Sequence, residues 1–78
     1  ISVYPNPTSG MFTVGLGAIE GKATCQIVNA NGSIIETREI NADSNSEIVF
    51  DCNVNSGVYF VRIISGNNVW TKRVVIEK

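Results

Sequence analysis

The chain has 78 residues, a formal net charge of −1 and no histidine. This length allows one domain, which buries only about 60% of the surface its unfolded form would expose. A composition that is 44% hydrophobic and 17% charged excludes intrinsic disorder, and the lack of histidine removes the commonest general base and the commonest metal ligand. The charge is unevenly spread: residues 1–71 carry three basic and six acidic side chains, whereas residues 72–78 hold Lys72, Arg73 and Lys78 against Glu77 alone. A basic tail of this size can attract an anionic partner, but nucleic acid is excluded because it needs a broad Lys/Arg surface. No apolar run approaches the ~20 residues that cross a bilayer as a helix. There is no signal peptide, and the chain starts at Ile1 without Met, so a fragment from the end of a longer protein is expected.

In chain order, the apolar stretches are short, alternating and β-branched, with turn residues between them and no helical periodicity. Ile1–Tyr4 reads as a first strand, ended by Pro5 and Pro7, which cannot donate to a ladder; Thr8, Ser9 and Gly10 complete the turn. Met11–Leu16 is a second strand with Phe12, Val14 and Leu16 on one face. The segment with Gly15, Gly17 and Gly21 reads as a loose loop. Ala23–Val28 is a third strand with Cys25 and Ile27 inward. Asn29-Ala30-Asn31-Gly32 is the strongest hairpin signal, because Asn-Gly accepts the positive φ of a tight turn. Ser33–Ile40 is the fourth strand and Asn41–Asn45 a polar turn. Ser46–Cys52 is the fifth, with Ile48, Phe50 and Cys52 inward and Glu47 and Asp51 outward. Gly57–Ile64 reads as a central strand with Tyr59, Val61 and Ile63 in the core and Arg62 on the other face with Val58, Phe60 and Ile64. Ser65-Gly66-Asn67-Asn68 is a second hairpin turn. Val69–Glu77 is the last strand, with Trp70, Val74 and Ile76 on one face; Lys72 breaks the pattern. Seven short antiparallel strands without a helix predict a two-sheet β-sandwich.

Catalytic chemistry finds little to work with. Ser and Thr lack a histidine base, and a Cys–His pair is excluded for the same reason. Glu47 and Asp51 fall on an outer strand face, where solvated carboxylates are the default. Asp43, Asn45 and Glu47 alternate as in a calcium loop, but the sixth-position glycine and terminal bidentate glutamate are missing, so a polar turn is the plainer reading. Two cysteines without histidine do not fill a zinc site, and no cofactor is implied. Cys25 and Cys52 both fall on core faces. A disulfide between them would stabilise by ~3 kcal/mol, yet two small buried hydrophobes on different strands are the plainer reading, since sequence does not show that their Cβ atoms meet. Tyr59 and Trp70 sit on inward faces, leaving Phe60 as the ring best placed for exposure. Asn31-Gly32-Ser33 matches a glycosylation sequon, for which the turn role is sufficient explanation.

Two segments, taken with their spacing, resemble the C-terminal sorting domain of the type IX (Por) secretion system of Bacteroidota, in its type A form. Tyr4-Pro5-Asn6-Pro7-Thr8 with Gly10 looks like the family's opening motif. Gly57, Tyr59, Val61 and Arg62 within Ser56–Arg62 look like its "G-x-Y" strand, Gly66 like the following turn, and Thr71-Lys72-Arg73-Val74-Val75 like its basic last strand; Asn31-Gly32 falls where the family has a Gly-containing hairpin. Each motif alone is weak, but all occur in order across nearly the whole chain. Cys25 and Cys52 depart mildly, occupying positions that are usually aliphatic.

The resemblance implies an Ig-like all-β sandwich at the C-terminus of a cargo that is not part of this chain, with no catalysis of its own. It implies the translocon and a sortase-like cysteine protease as partners, passage through the periplasm, and an end at the cell surface or outside the cell, with the cut upstream of Ile1. Gly57, Tyr59, Val61, Arg62, Gly66, Lys72, Arg73, Val74, Val75 and Lys78 would serve translocon recognition. A terminal hairpin offers an edge strand with free backbone groups that a partner extends by strand addition, and such an edge also allows self-association. The alternative is an Ig-like carbohydrate-binding or adhesive module, which requires two or more aromatics exposed on one face.

Overall fold

The computed structural model describes residues Ile1–Lys78. It contains seven strands and no helix: β1 (Ser2–Tyr4), β2 (Met11–Gly15), β3 (Lys22–Asn29), β4 (Ile34–Asn41), β5 (Glu47–Asp51), β6 (Gly57–Ser65) and β7 (Asn68–Ile76). Every strand expected from the alternation is present, with ends shifted by at most one residue. The strands form two antiparallel sheets, ordered β1-β2-β5 and β4-β3-β6-β7. β3 and β6 are the central strands of the larger sheet, which is why β6 is apolar on both faces apart from Arg62.

The period-2 pattern sends one face of each sheet into a shared core. Phe12, Val14, Ile48 and Phe50 come from the smaller sheet, and Cys25, Ile27, Tyr59, Val61, Ile63, Val74 and Ile76 from the larger. Phe12 and Phe50 are directly opposed across β2 and β5, their ring centroids 5.6 Å apart and nearly parallel. The segment between β2 and β3 is tighter than its glycines suggest. Leu16 and Ile19 are both buried, and the Leu16 N–H donates to Ser46 O at 3.0 Å. The short Leu16–Ile19 turn therefore closes one end of the sandwich.

The two hairpins differ. At Asn29–Ser33 only Gly32 has positive φ, at 88°; Asn31 does not, so the loop is wider than a two-residue Asn-Gly turn. The Asn29 side chain holds it by accepting from the N–H groups of Asn31 and Ser33. At Gly66-Asn67 a two-residue turn places Gly66 at φ 59°, as a turn with glycine at its first central position requires. The polar turn after β4 is capped by Asp43, whose carboxylate accepts from the Gly21 N–H at 3.0 Å.

Lys72 now has a structural account. It pairs with the fully buried Val61, so it stands on the inner-face register. Yet it is exposed, because β7 is the outermost strand and its inner face is open at this point. A charge on the inner face of an edge strand opposes indiscriminate sheet-to-sheet pairing.

Gly10 is fixed by sterics. Its φ is 134°, and a Cβ there would lie 2.8 Å from the Cys52 carbonyl oxygen, the same residue whose N–H donates to Gly10 O. Gly57 differs: a Cβ there would meet Tyr59 Cε2 at an ordinary 3.6 Å. Gly10→Ala is expected to lower unfolding free energy by about 1–3 kcal/mol, and Gly57→Ala to change it by much less, in parallel urea titrations.

Candidate functional site

The residues singled out from sequence converge on β7 and the segment that lies against it. Even-numbered residues of β7 face β6 in the ladder, so the odd-numbered ones turn their backbone groups outward. The segment between β1 and β2 runs along the second half of that outer edge. The Tyr4–Pro5 and Asn6–Pro7 peptide bonds are cis. Asn6 then places its side-chain amide against β7, donating through Nδ2 to Arg73 O at 2.9 Å and accepting from the Val75 N–H through Oδ1 at 3.0 Å. One side chain thus stands in for the peptide group of a missing strand. Thr8 continues the contact with its backbone: its N–H donates to Val75 O at 2.9 Å and its carbonyl accepts from the Glu77 N–H at 2.8 Å, a parallel bridge to Ile76.

Thr8 is the only buried polar residue. Its hydroxyl donates to Met11 O and accepts from the Gly10 N–H, so the opening motif is satisfied internally as well as against β7. The fully free edge expected for the terminal strand is therefore corrected: its C-terminal half, Arg73 to Glu77, is closed by Asn6 and Thr8, and only its N-terminal half is open. Tyr4 lies apart from this contact, its hydroxyl donating to the Glu47 carboxylate.

The basic residues do not form one patch. Lys72 projects from the inner face of β7 and Arg73 from the outer, and neither makes an ion pair; the single ion pair joins Arg38 to Glu36. Lys78 lies six residues along the chain from Lys72, roughly 20 Å in extended geometry. There its N–H donates to Ser56 Oγ and its Nζ to Asn53 Oδ1. Arg62 is engaged within its own sheet, both its Nε and a terminal nitrogen donating to Gln26 Oε1 at 3.1 and 2.8 Å. Tyr59, Val61 and Val74 are core residues. Tyr59 lays its ring over Gly57 and donates from its hydroxyl to Asn55 O at 2.7 Å. Gly66 serves the turn and Val75 the contact with Asn6 and Thr8. Among the residues placed together from sequence, only Lys72 and Arg73 are exposed side chains free to meet a partner.

The opposite flank is closed by a residue the sequence reading did not single out. Arg38 of β4 stands on the inner-face register beside Cys25. Its guanidinium lies 4.3 Å from the Phe50 ring centroid, donates to Val49 O at 3.1 Å and pairs with Glu36 at 2.7 Å. The alternation of β4 carries no sign of it, because Arg38 shares its face with Glu36 as well as with Ile34 and Ile40.

Cys25 and Cys52 are free, buried thiols, so the disulfide permitted by the sequence is not made and both act as small core residues. Burial pushes the Cys25 thiol up to about 11 from its ordinary value near 9, partly opposed by Arg38; burial moves Cys52 in the same direction. The largest concavity, an open cleft of about 600 Å³, is lined chiefly by Asn29, Asn53, Asn55, Tyr59 and Lys78, with Lys78 its only charged group. The aromatic rings with exposed surface share no face: Phe60 is half-buried on the outside of the larger sheet, Trp70 is half-buried on the inside, and Tyr4 is on the other sheet.

Two outcomes follow from this geometry. Asn6→Ala removes two hydrogen bonds to the β7 edge and is expected to cost about 1–2 kcal/mol in a urea titration. Asn6→Asp can still accept from the Val75 N–H but sets a second acceptor against Arg73 O, so it should be no better than alanine. For the thiols, a folded pKa above the unfolded one means that the neutral form stabilises the fold. That contribution is complete below about pH 9 and is lost as pH rises through about 11. Cys25→Ala should make the fall in stability across this window shallower, read from denaturant midpoints at successive pH values.

A family model described as the secretion system C-terminal sorting domain matches residues 2–77. No curated protein matches the chain. The match spans both the opening segment and the terminal hairpin that the structure brings into contact. The chain belongs to the C-terminal sorting domain family of the type IX secretion system, whose members direct secretion to the cell surface or the extracellular space.

Proposed function

We propose that this domain is the non-catalytic C-terminal address of a longer cargo protein, read by the outer-membrane translocon after the cargo has reached the periplasm. A sortase-like cysteine protease then removes the domain by cutting upstream of Ile1 and joins the cargo to anionic lipopolysaccharide. The observation that carries this reading is the terminal hairpin. β6 is a central strand anchored in the core, whereas β7 is an outermost strand that presents Lys72 and Arg73 without intramolecular partners. A rigid scaffold that offers one edge with unpaired charge suits recognition by another protein. The supply of chemical groups agrees: there is no histidine, and Glu47 and Asp51 are exposed on an outer strand face.

Truncating the last five residues would test this poorly, because Val74 and Ile76 are fully buried and their loss would unfold the domain. The informative experiment fuses the intact chain, behind its native upstream linker, to a fluorescent reporter carrying a signal peptide. It is expressed in a type IX-competent bacterium and in a translocon-null strain. Fluorescence should reach the surface or medium in the competent strain alone, and mass spectrometry of the released reporter should locate the cut before Ile1. Retention in the periplasm of both strains would refute the sorting role for this chain.

A further inference from the structure

The outer edge of β7 is divided. From Arg73 O to the Glu77 N–H it is occupied by Asn6 and Thr8. Before that point the outward backbone groups are those of Val69 and Thr71 together with the Arg73 N–H, and no group of the chain pairs with them. Three features distinguish this strip. It is bounded, because Asn6 blocks any incoming strand from running past Arg73. It is cationic on both faces, with Lys72 on the inner and Arg73 on the outer face, and neither charge is neutralised within the chain. It also offers apolar surface at its other end, where Val69 is 58% exposed and Trp70 is half-buried on the inner face. The other outermost strands differ in charge: β1 carries none, β4 carries Glu36 and Glu39 with Arg38 paired to Glu36, and β5 carries Glu47 and Asp51.

We infer that Val69–Arg73 is a strand-addition site for an extended acidic segment of a partner protein. Successive side chains of an added strand point to opposite faces, so two adjacent acidic residues would place one carboxylate beside Lys72 and the other beside Arg73. The next residues, beside Val69 and Trp70, would be apolar. Charge argues against a second copy of this chain in the same place. Antiparallel pairing of two such edges about Thr71 would gather two lysines and two arginines around one short ladder with no acid between them, and like charges opposed on a sheet destabilise it. The inference rests on the reading of the terminal hairpin as a recognition surface and specifies what that surface takes.

The test uses the 78-residue chain, labelled with ¹⁵N, and two capped hexapeptides in an amide-shift titration. One peptide carries two adjacent aspartates between valines and threonines; the other carries lysines in their place. The expected result is that the acidic peptide shifts the amides of Val69, Thr71 and Arg73 and slows their hydrogen exchange, weakens as salt is raised, and binds at least tenfold less well to the doubly exchanged Lys72→Glu, Arg73→Glu chain. That variant alters only exposed side chains, and its unperturbed core spectrum verifies folding. Asn6→Ala should extend the shifted region to Val75. No shift at millimolar peptide, equal binding of the lysine peptide, or shifts centred on β4 or β5 would each overturn the proposal. Concentration-dependent broadening of the same amides without peptide would overturn it in favour of a second copy. Because the titration contains no secretion machinery, a failed titration beside successful reporter export would remove the acidic-strand site while leaving the sorting role intact. Binding beside failed export would do the reverse.

Discussion

Where two sheets of a sandwich part at their flanks, the outermost strands present backbone groups that no further strand satisfies. In this molecule the β1–β7 flank is closed by Asn6 and Thr8, which hydrogen-bond to residues 67–69 positions later in the chain. That contact sets the course of the whole opening segment. Thr8 is buried because it must lie against β7, Gly10 has an unusual backbone because the chain must then turn back under Cys52, and β1 is only three residues long because the detour begins at Pro5. The last strand, in turn, is held from both sides over its second half and from one side over its first.

The opposite flank uses different chemistry for the same purpose. Arg38 spans the gap between β4 and β5 by laying its guanidinium over Phe50 and donating to Val49 O. An apolar side chain of this length would cover the ring, but it could not also donate to a carbonyl on the facing sheet. The two flanks together explain how a small chain seals a core whose largest members, Phe12 and Phe50, are almost completely removed from solvent.

Most of the architecture was legible in the sequence because strand faces alternate with a fixed period, and inward residues such as Cys25, Ile27, Tyr59 and Val61 follow it. What escaped the reading depends on long-range geometry. Asn6 and Thr8 look like ordinary turn residues until β7 is seen beside them, since a side chain that imitates a backbone group leaves no periodic trace. Ile19 sits among glycines that suggest looseness, and only the end-on packing of the Leu16–Ile19 turn explains its burial. The basic tail reads as a cluster along the sequence, but strand alternation separates Lys72 from Arg73, and chain extension carries Lys78 away to Asn53 and Ser56. The opening motif and the basic last strand, far apart in sequence, are halves of a single contact.

The bridge between Thr8 and Ile76 has a consequence for timing. A chain made from its N-terminus reaches Val75 and Glu77 only after the first six strands, so the opening segment has nothing to close upon until β7 is made. Contacts of such high sequence separation also form late in folding, after the cost of closing a long loop has been met. A chain interrupted before Val75 carries every earlier strand and still lacks the partner for Thr8. Closure of this flank is therefore a mark that β7 has been made and has docked.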